Sequence, residues 1–186
     1  MSRRRIERHR LGQYLDTSLD RLDPTRHERD VMSDHPLFAY DDDPDVPGWK
    51  RWQFRDSTRF NAFIEPVHVR LDGDIARVRM VPGHQHSNIR DAVHGGALLG
   101  FMDVALFAAS RAFGCLSAGG AVTVDLSAQF IGAARIGVPI EARLELLRET
   151  GRLLFLRGLI VQDDEPTIAS FGATVRKWSP PRSDDA

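Results

Sequence analysis

From Ala97 to Ala109 the chain reads A-L-L-G-F-M-D-V-A-L-F-A-A, and every residue but Asp103 is apolar or glycine. A surface helix needs a polar face, so this run predicts a helix buried all round. A carboxylate inside such a helix is costly unless it is paired, hydrogen-bonded or used chemically. Two helical turns ahead of Asp103 stands His94-Gly95-Gly96. That pairing marks a candidate active site on one long central helix.

The residues around the run set its fold. Val67, Val69 and Leu71 alternate with His68, Arg70 and Asp72, and Asp72-Gly73 is a two-residue hairpin signal leading into a strand from Ile75 to Val81. Pro82 and Gly83 end the hairpin. The helix is expected from about Val93 to Phe113, with Gly114 as its terminating glycine. Gly95, Gly96, Gly100, Ala105, Ala108 and Ala109 thin it, so that a sheet can approach closely. Beyond it, Val122, Val124, Leu126, Ala128 and Phe130 alternate with polar residues that include Thr123, and Ile140, Ala142, Leu144 and Leu146 do the same. Turns at 149–152 and 163–166 introduce two further strands, Leu153 to Val161 and Thr167 to Trp178. Two strands, a helix and four strands imply an α+β fold, an antiparallel curled sheet wrapped around one buried helix.

Ahead of this domain, residues 1–56 read as an N-terminal, partly helical extension. Leu11, Tyr14, Leu15, Ser18 and Leu22 recur at helical spacing until Asp23-Pro24, and residues 40–48 combine an acid run with prolines and glycine, the composition of an exposed connector. Residues 57–178 form the domain and 179–186 a frayed tail. With 186 residues and 42% hydrophobic content, one core is expected. A net charge of −1 supplies no general attraction to nucleic acid or to an anionic membrane. Arg3, Arg4, Arg5, Arg8 and Arg10 are followed by no apolar stretch of signal-peptide type, and nothing reads as a transmembrane span. The one cysteine, Cys115, fits a reducing cytoplasmic setting and reads as a small buried hydrophobe. His84-Gln85-His86 lacks the further ligands of a metal site, and Trp49, Trp52 and Phe54 read first as packing aromatics.

The first N–H groups of a helix have no intrahelical acceptor and lie at the positive end of its dipole. Gly95 and Gly96 leave them open to a polarised carbonyl oxygen, for which one such donor is worth about 3 kcal/mol in a transition state. His94 is suited to holding the carbonyl or orienting the loop. Asp103 lies eight residues on, roughly 12 Å along the axis at 1.5 Å per residue. It cannot reach a carbonyl held by Gly95 of its own helix. Two antiparallel helices across a two-fold axis would bring one helix start to the middle of the other, which predicts a homodimer with two composite sites. There Asp103 would act as general base or nucleophile, with Thr123 bonded to the water or the carboxylate.

The pattern Asn88-x5-His94-Gly95-Gly96-x6-Asp103, followed by a strand carrying Thr123-Val124-Asp125, resembles the hotdog-fold acyl-CoA thioesterases of the phenylacetate-pathway, PaaI-like type, over about Phe60 to Trp178. The resemblance implies that Asp103 is base or nucleophile, that Gly95 polarises the thioester carbonyl, that Asn88 positions carbonyl or water, and that Thr123 supports the water. Asn88 and Gly95 would come from one subunit, Asp103 and Thr123 from the other. It further implies an acyl-CoA substrate, no cofactor, and a homodimer or homotetramer. The chain departs from the pattern at Asp91, where many members carry glycine; its residue type suits a helix cap instead. Two rival readings are a hotdog hydratase or dehydratase of enoyl or hydroxyacyl thioesters, and a non-catalytic acyl-CoA binder.

Overall fold

The computed structural model describes residues 38–64, 66–116, 120–163 and 167–178. The helix expected around residues 11–22, the arginine-rich start and the 179–186 tail lie outside the described residues. Eight antiparallel strands form one sheet: β1 (Phe38–Asp42), β2 (Lys50–Phe54), β3 (Val67–Asp72), β4 (Ile75–Met80), β5 (Ala121–Phe130), β6 (Ile140–Glu149), β7 (Leu153–Gln162) and β8 (Ala169–Lys177), in the order β1-β2-β3-β4-β6-β7-β8-β5. Helix α1 (Gly95–Ala112) lies across one face and touches β3, β4, β5, β6 and β8.

The period-two pattern sends one set of side chains to the helix. Val67 and Val69, then Ala76, Val78 and Met80, then Ile140, Ala142 and Leu144 are all buried, as are Leu154, Leu156 and Ile160. Against them α1 buries Leu98, Phe101, Met102, Ala105, Leu106 and Ala109. Gly114, at φ 74°, closes the helix where the spacing placed its last residue. By length and hydropathy α1 meets the requirement for a membrane span, contrary to the sequence reading. Its 18 residues have a mean hydropathy of 1.2, but two thirds of them are buried in this core, as expected of a central helix.

Burial all round does not hold for the described chain. Gly96 is exposed, Leu99 is 39% exposed, and Asp103 and Phe107 are only half-buried, so a stripe at spacing three and four stays open along one side of α1. Asp103 sits in that stripe.

The acid run is exposed at Asp41, Asp42 and Asp45, as expected, but it belongs to a hairpin and is not a connector. Residues 38–54 form a hairpin that extends the sheet through β2 and β3, with Trp52 opposite Val67. Asp43 is buried at its turn, where its carboxylate takes a hydrogen bond from the Asp45 N–H at 2.8 Å and meets His68 Nε2 at 2.9 Å. Trp49 is buried between the guanidinium groups of Arg70 and Arg79, at 4.7 and 4.4 Å from its ring centre. Trp52 stacks on Phe38 at 4.6 Å. Buried Arg111, at the end of α1, faces the rings of Phe38 and Tyr40 at 5.5 and 5.6 Å. The aromatic residues of this region are packing groups.

On the face away from α1, Glu141 is buried and accepts hydrogen bonds from Arg77, Arg79 and Arg143. Burial alone would raise its carboxyl pKa. The three guanidinium groups outweigh that and hold it below the ordinary value.

Candidate active site

The approach to α1 is a tight loop built by Asn88. Its backbone N–H donates to the Ala92 carbonyl at 2.8 Å, its carbonyl accepts from Asp91, and its side-chain Oδ1 accepts from the N–H groups of Arg90 and Ala92 at 2.8 and 3.4 Å. With Oδ1 committed to the loop, the Nδ2 amide is what Asn88 can offer a ligand. Asp91 does not cap the helix. It takes the left-handed conformation, φ 56°, which closes the turn and which aspartate tolerates better than most non-glycine residues.

The cap is His94. Its Nδ1 accepts from the Gly96 N–H at 2.9 Å, so a neutral ring carries its proton on Nε2. Gly95 is the first helical residue, and its N–H is one of the donors a helix leaves without an internal acceptor. A groove of about 320 Å³ opens beside it, lined by Asn88, Gly95 and Leu98 on one side and by Phe130, Ile131 and Gly132 on the other. Asp103 does not line it.

Asp103 meets Thr123, whose Oγ1 donates to Asp103 Oδ1 at 2.6 Å. Strict alternation would put Thr123 on the face of β5 away from the apolar set. A bulge between Thr123 and Asp125 changes the phase instead. Before it, Ala121 and Thr123 face α1; after it, Leu126 and Ala128 do, while Val122 and Val124 are each 58% exposed. The extra residue delivers the hydroxyl to the carboxylate. The bond engages Oδ1 of the carboxylate.

Five expected site residues thus fall into two groups within one chain. Asn88 and Gly95 line the groove at the helix start, where His94 caps the first turn; Asp103 and Thr123 stand together two turns along.

The sequence model of the thioesterase superfamily matches residues 91–169, from the loop before α1 to the start of β8. The fold is the hotdog fold, and the segment carrying α1 and β5 to β7 is similar to the thioesterase superfamily. Solved structures similar to this chain include the Escherichia coli PaaI protein from the phenylacetic acid degradation operon, at 22% identity and TM-score 0.51, covering 58% of this chain and 80% of that one. The TT0310 protein from Thermus thermophilus is 25% identical at TM-score 0.54, with 67% and 100% covered. A protein described as "Hypothetical Thioesterase Protein with Coenzyme A", from Streptococcus pneumoniae, is 14% identical at TM-score 0.53, with 61% and 89% covered. No curated protein matches the chain in sequence.

Two features of the site escaped sequence reasoning. Phe130 roofs the helix start: a Cβ on Gly95 would meet its ring at 3.6 Å. The clue was an aromatic at the end of a strand whose polar positions should face solvent. His86 is not a metal ligand candidate in practice, because Nδ1 accepts from the Gly83 N–H and Nε2 donates to the Phe63 carbonyl.

Proposed function

We propose that the protein hydrolyses an acyl-CoA thioester to free acid and coenzyme A, at sites shared between two subunits. The observation that carries this is the separation of the two groups: the groove holds the carbonyl-binding donors without Asp103, while the Asp103–Thr123 pair stands on an open stripe of α1. A second copy with its helix antiparallel completes both sites at once. Two further features support that copy. Among the described strands β5 ends the sheet, ten residues long, with Val122 and Val124 exposed, and such an edge is ordinarily covered. The same strand supplies Thr123.

In the composite site the thioester oxygen takes the Gly95 N–H, reinforced by the helix dipole, and the Asn88 amide. His94 holds the first turn in shape through its cap. The partner's carboxylate, fixed by its own Thr123 hydroxyl, presents Oδ2 to the acyl carbon or to a water beside it. Attack gives a tetrahedral oxyanion on the Gly95 donor, and its collapse expels the coenzyme A thiolate; a water that attacks directly gives its proton to Asp103 and leaves the free acid, whereas attack by Oδ2 leaves an acyl-aspartate anhydride that a water then hydrolyses. The hydratase reading requires a histidine free to move a proton. His86 has both ring nitrogens engaged and His94 has one.

The test is a panel of acyl-CoA esters with colorimetric trapping of released thiol. Turnover in the parent and its loss in Asp103→Asn is the expected outcome. Parent-like hydrolysis by Asp103→Asn would refute the mechanism; tight binding with no turnover would leave a binder, and hydration of an enoyl thioester would select the hydratase. A single turnover in ¹⁸O water, read by mass in both the acid and the protein, bears on the two routes: label in the Asp103 carboxylate with unlabelled acid requires the acyl-aspartate anhydride, which direct attack of water never forms.

A further inference from the structure

We propose that Phe60 and Phe63, on the 3-10 turn Phe60–Phe63, form the acyl wall of the site and confine the substrate to compact apolar acyl groups. This rests on the thioester-hydrolase reading of Asp103. Phe60 is 66% exposed and Phe63 40%, and Leu99 of α1 is open beside them. Apolar surface gathered next to a carboxylate is characteristic of a ligand site, not of a free exterior. The ring of Phe60 lies down on the helix at Gly100. A Cβ there would stand 3.2 Å from Phe60 Cζ and 3.2 Å from Ile64 Cδ1. Gly100 and Leu99 precede Asp103 by three and four positions, so they share its face, about one 5.4 Å turn away.

The wall is held rigidly. Phe60 and Phe63 are in ring contact at 6.2 Å, Phe63 packs on His86 at 4.6 Å, and His86 Nε2 donates to the Phe63 carbonyl. His86 is buried and fastened through its other nitrogen to Gly83. A histidine without a role in the chemistry thereby acquires one in positioning. An acyl carbon at Asp103 directs its substituent along the stripe past Leu99, and the Phe60 ring stands across that path. Short chains and single aryl groups fit before it; long straight chains meet it.

The experiment compares butyryl-, hexanoyl-, benzoyl- and decanoyl-CoA on three dimeric variants. Phe60→Ala removes the stop, and its decanoyl-to-butyryl ratio of kcat/KM rises by about tenfold or more. Phe60→Trp and Gly100→Ala work in the opposite sense, the second by pushing the ring outward, and both lower that ratio below the parent's. A parent that hydrolyses thioesters while all three profiles superimpose on its own overturns the wall and leaves the reaction standing. Loss of activity in Phe60→Ala that tracks dissociation of the dimer, with Phe60→Trp and Gly100→Ala keeping the parent's profile, also overturns it, since the ring is then interface packing. A parent inactive on every thioester overturns both readings.

Discussion

Thr123→Val replaces a hydroxyl by a methyl of similar shape on a strand that favours β-branched residues, so the fold is retained. What is lost is one hydrogen bond, 2.6 Å long, to a carboxylate that is only half-buried. Bonds to charged groups are worth about 1.5–3 kcal/mol, and partial exposure puts this one at the lower end. If the bond serves chiefly to aim Oδ2 in the transition state, its loss lowers kcat by about tenfold, at 1.36 kcal/mol per factor of ten. KM stays close to the parent's, because Thr123 touches the carboxylate and not the thioester. Thr123→Ser keeps the hydroxyl and recovers most of the rate. The assay is thiol release under saturating substrate, with thermal melting to confirm folding. A folded Thr123→Val with kcat within about twofold of the parent, or a serine variant as slow as the valine one, would refute the positioning role.

Three other outcomes follow from the same geometry. Gly95→Ala places a methyl in ordinary contact with Phe130, 3.6 Å away, at a helix position that prefers alanine; the melting temperature is held or raised while activity falls, because the methyl enters the groove beside the carbonyl donor. Glu141→Gln costs about 1–3 kcal/mol at neutral pH by chemical denaturation, less than for a fully enclosed pair because Arg79 and Arg143 reach solvent. Since the Glu141 pKa is lowered by folding, its contribution is complete above the ordinary value of 4.5 and is lost as pH falls through the lower folded value, so the parent's stability declines more steeply than the variant's there. Burial, followed by the Glu149 carboxylate at 3.3 Å, pushes the Cys115 thiol up to about 11, and alkylation by iodoacetamide at pH 8 should run about a hundredfold slower than for a free thiol.

How much could be read without coordinates depended on whether a signal was local. Strands β3, β4 and β6 to β8 each bury one side of a regular period, α1 is a continuous apolar run, and both kinds of pattern survive in the sequence. The β1–β2 hairpin has five-residue strands around an acid-rich, proline-containing turn. It is secured by Trp49 between two arginines and by Asp43 against His68, partners that are distant in the chain and leave no periodic trace. The orientation of Thr123 was hidden for another reason: one bulge inverts every later assignment on its strand, and alternation alone does not reveal it. The Asp91 turn could be located, but its left-handed backbone was masked by a residue type that suits a cap equally well. For the site itself, helical rise alone separated Asp103 from Gly95 and called for a second subunit.

The proposed division of labour between subunits is best tested by complementation. Asp103→Asn retains the groove and Asn88→Ala retains the carboxylate, so each homodimer is nearly inactive. Subunit exchange at equal amounts makes half the dimers mixed, each with one intact composite site, and predicts recovery of about one quarter of the parent activity. No recovery after exchange has been verified by mass would contradict a site shared across the two-fold axis.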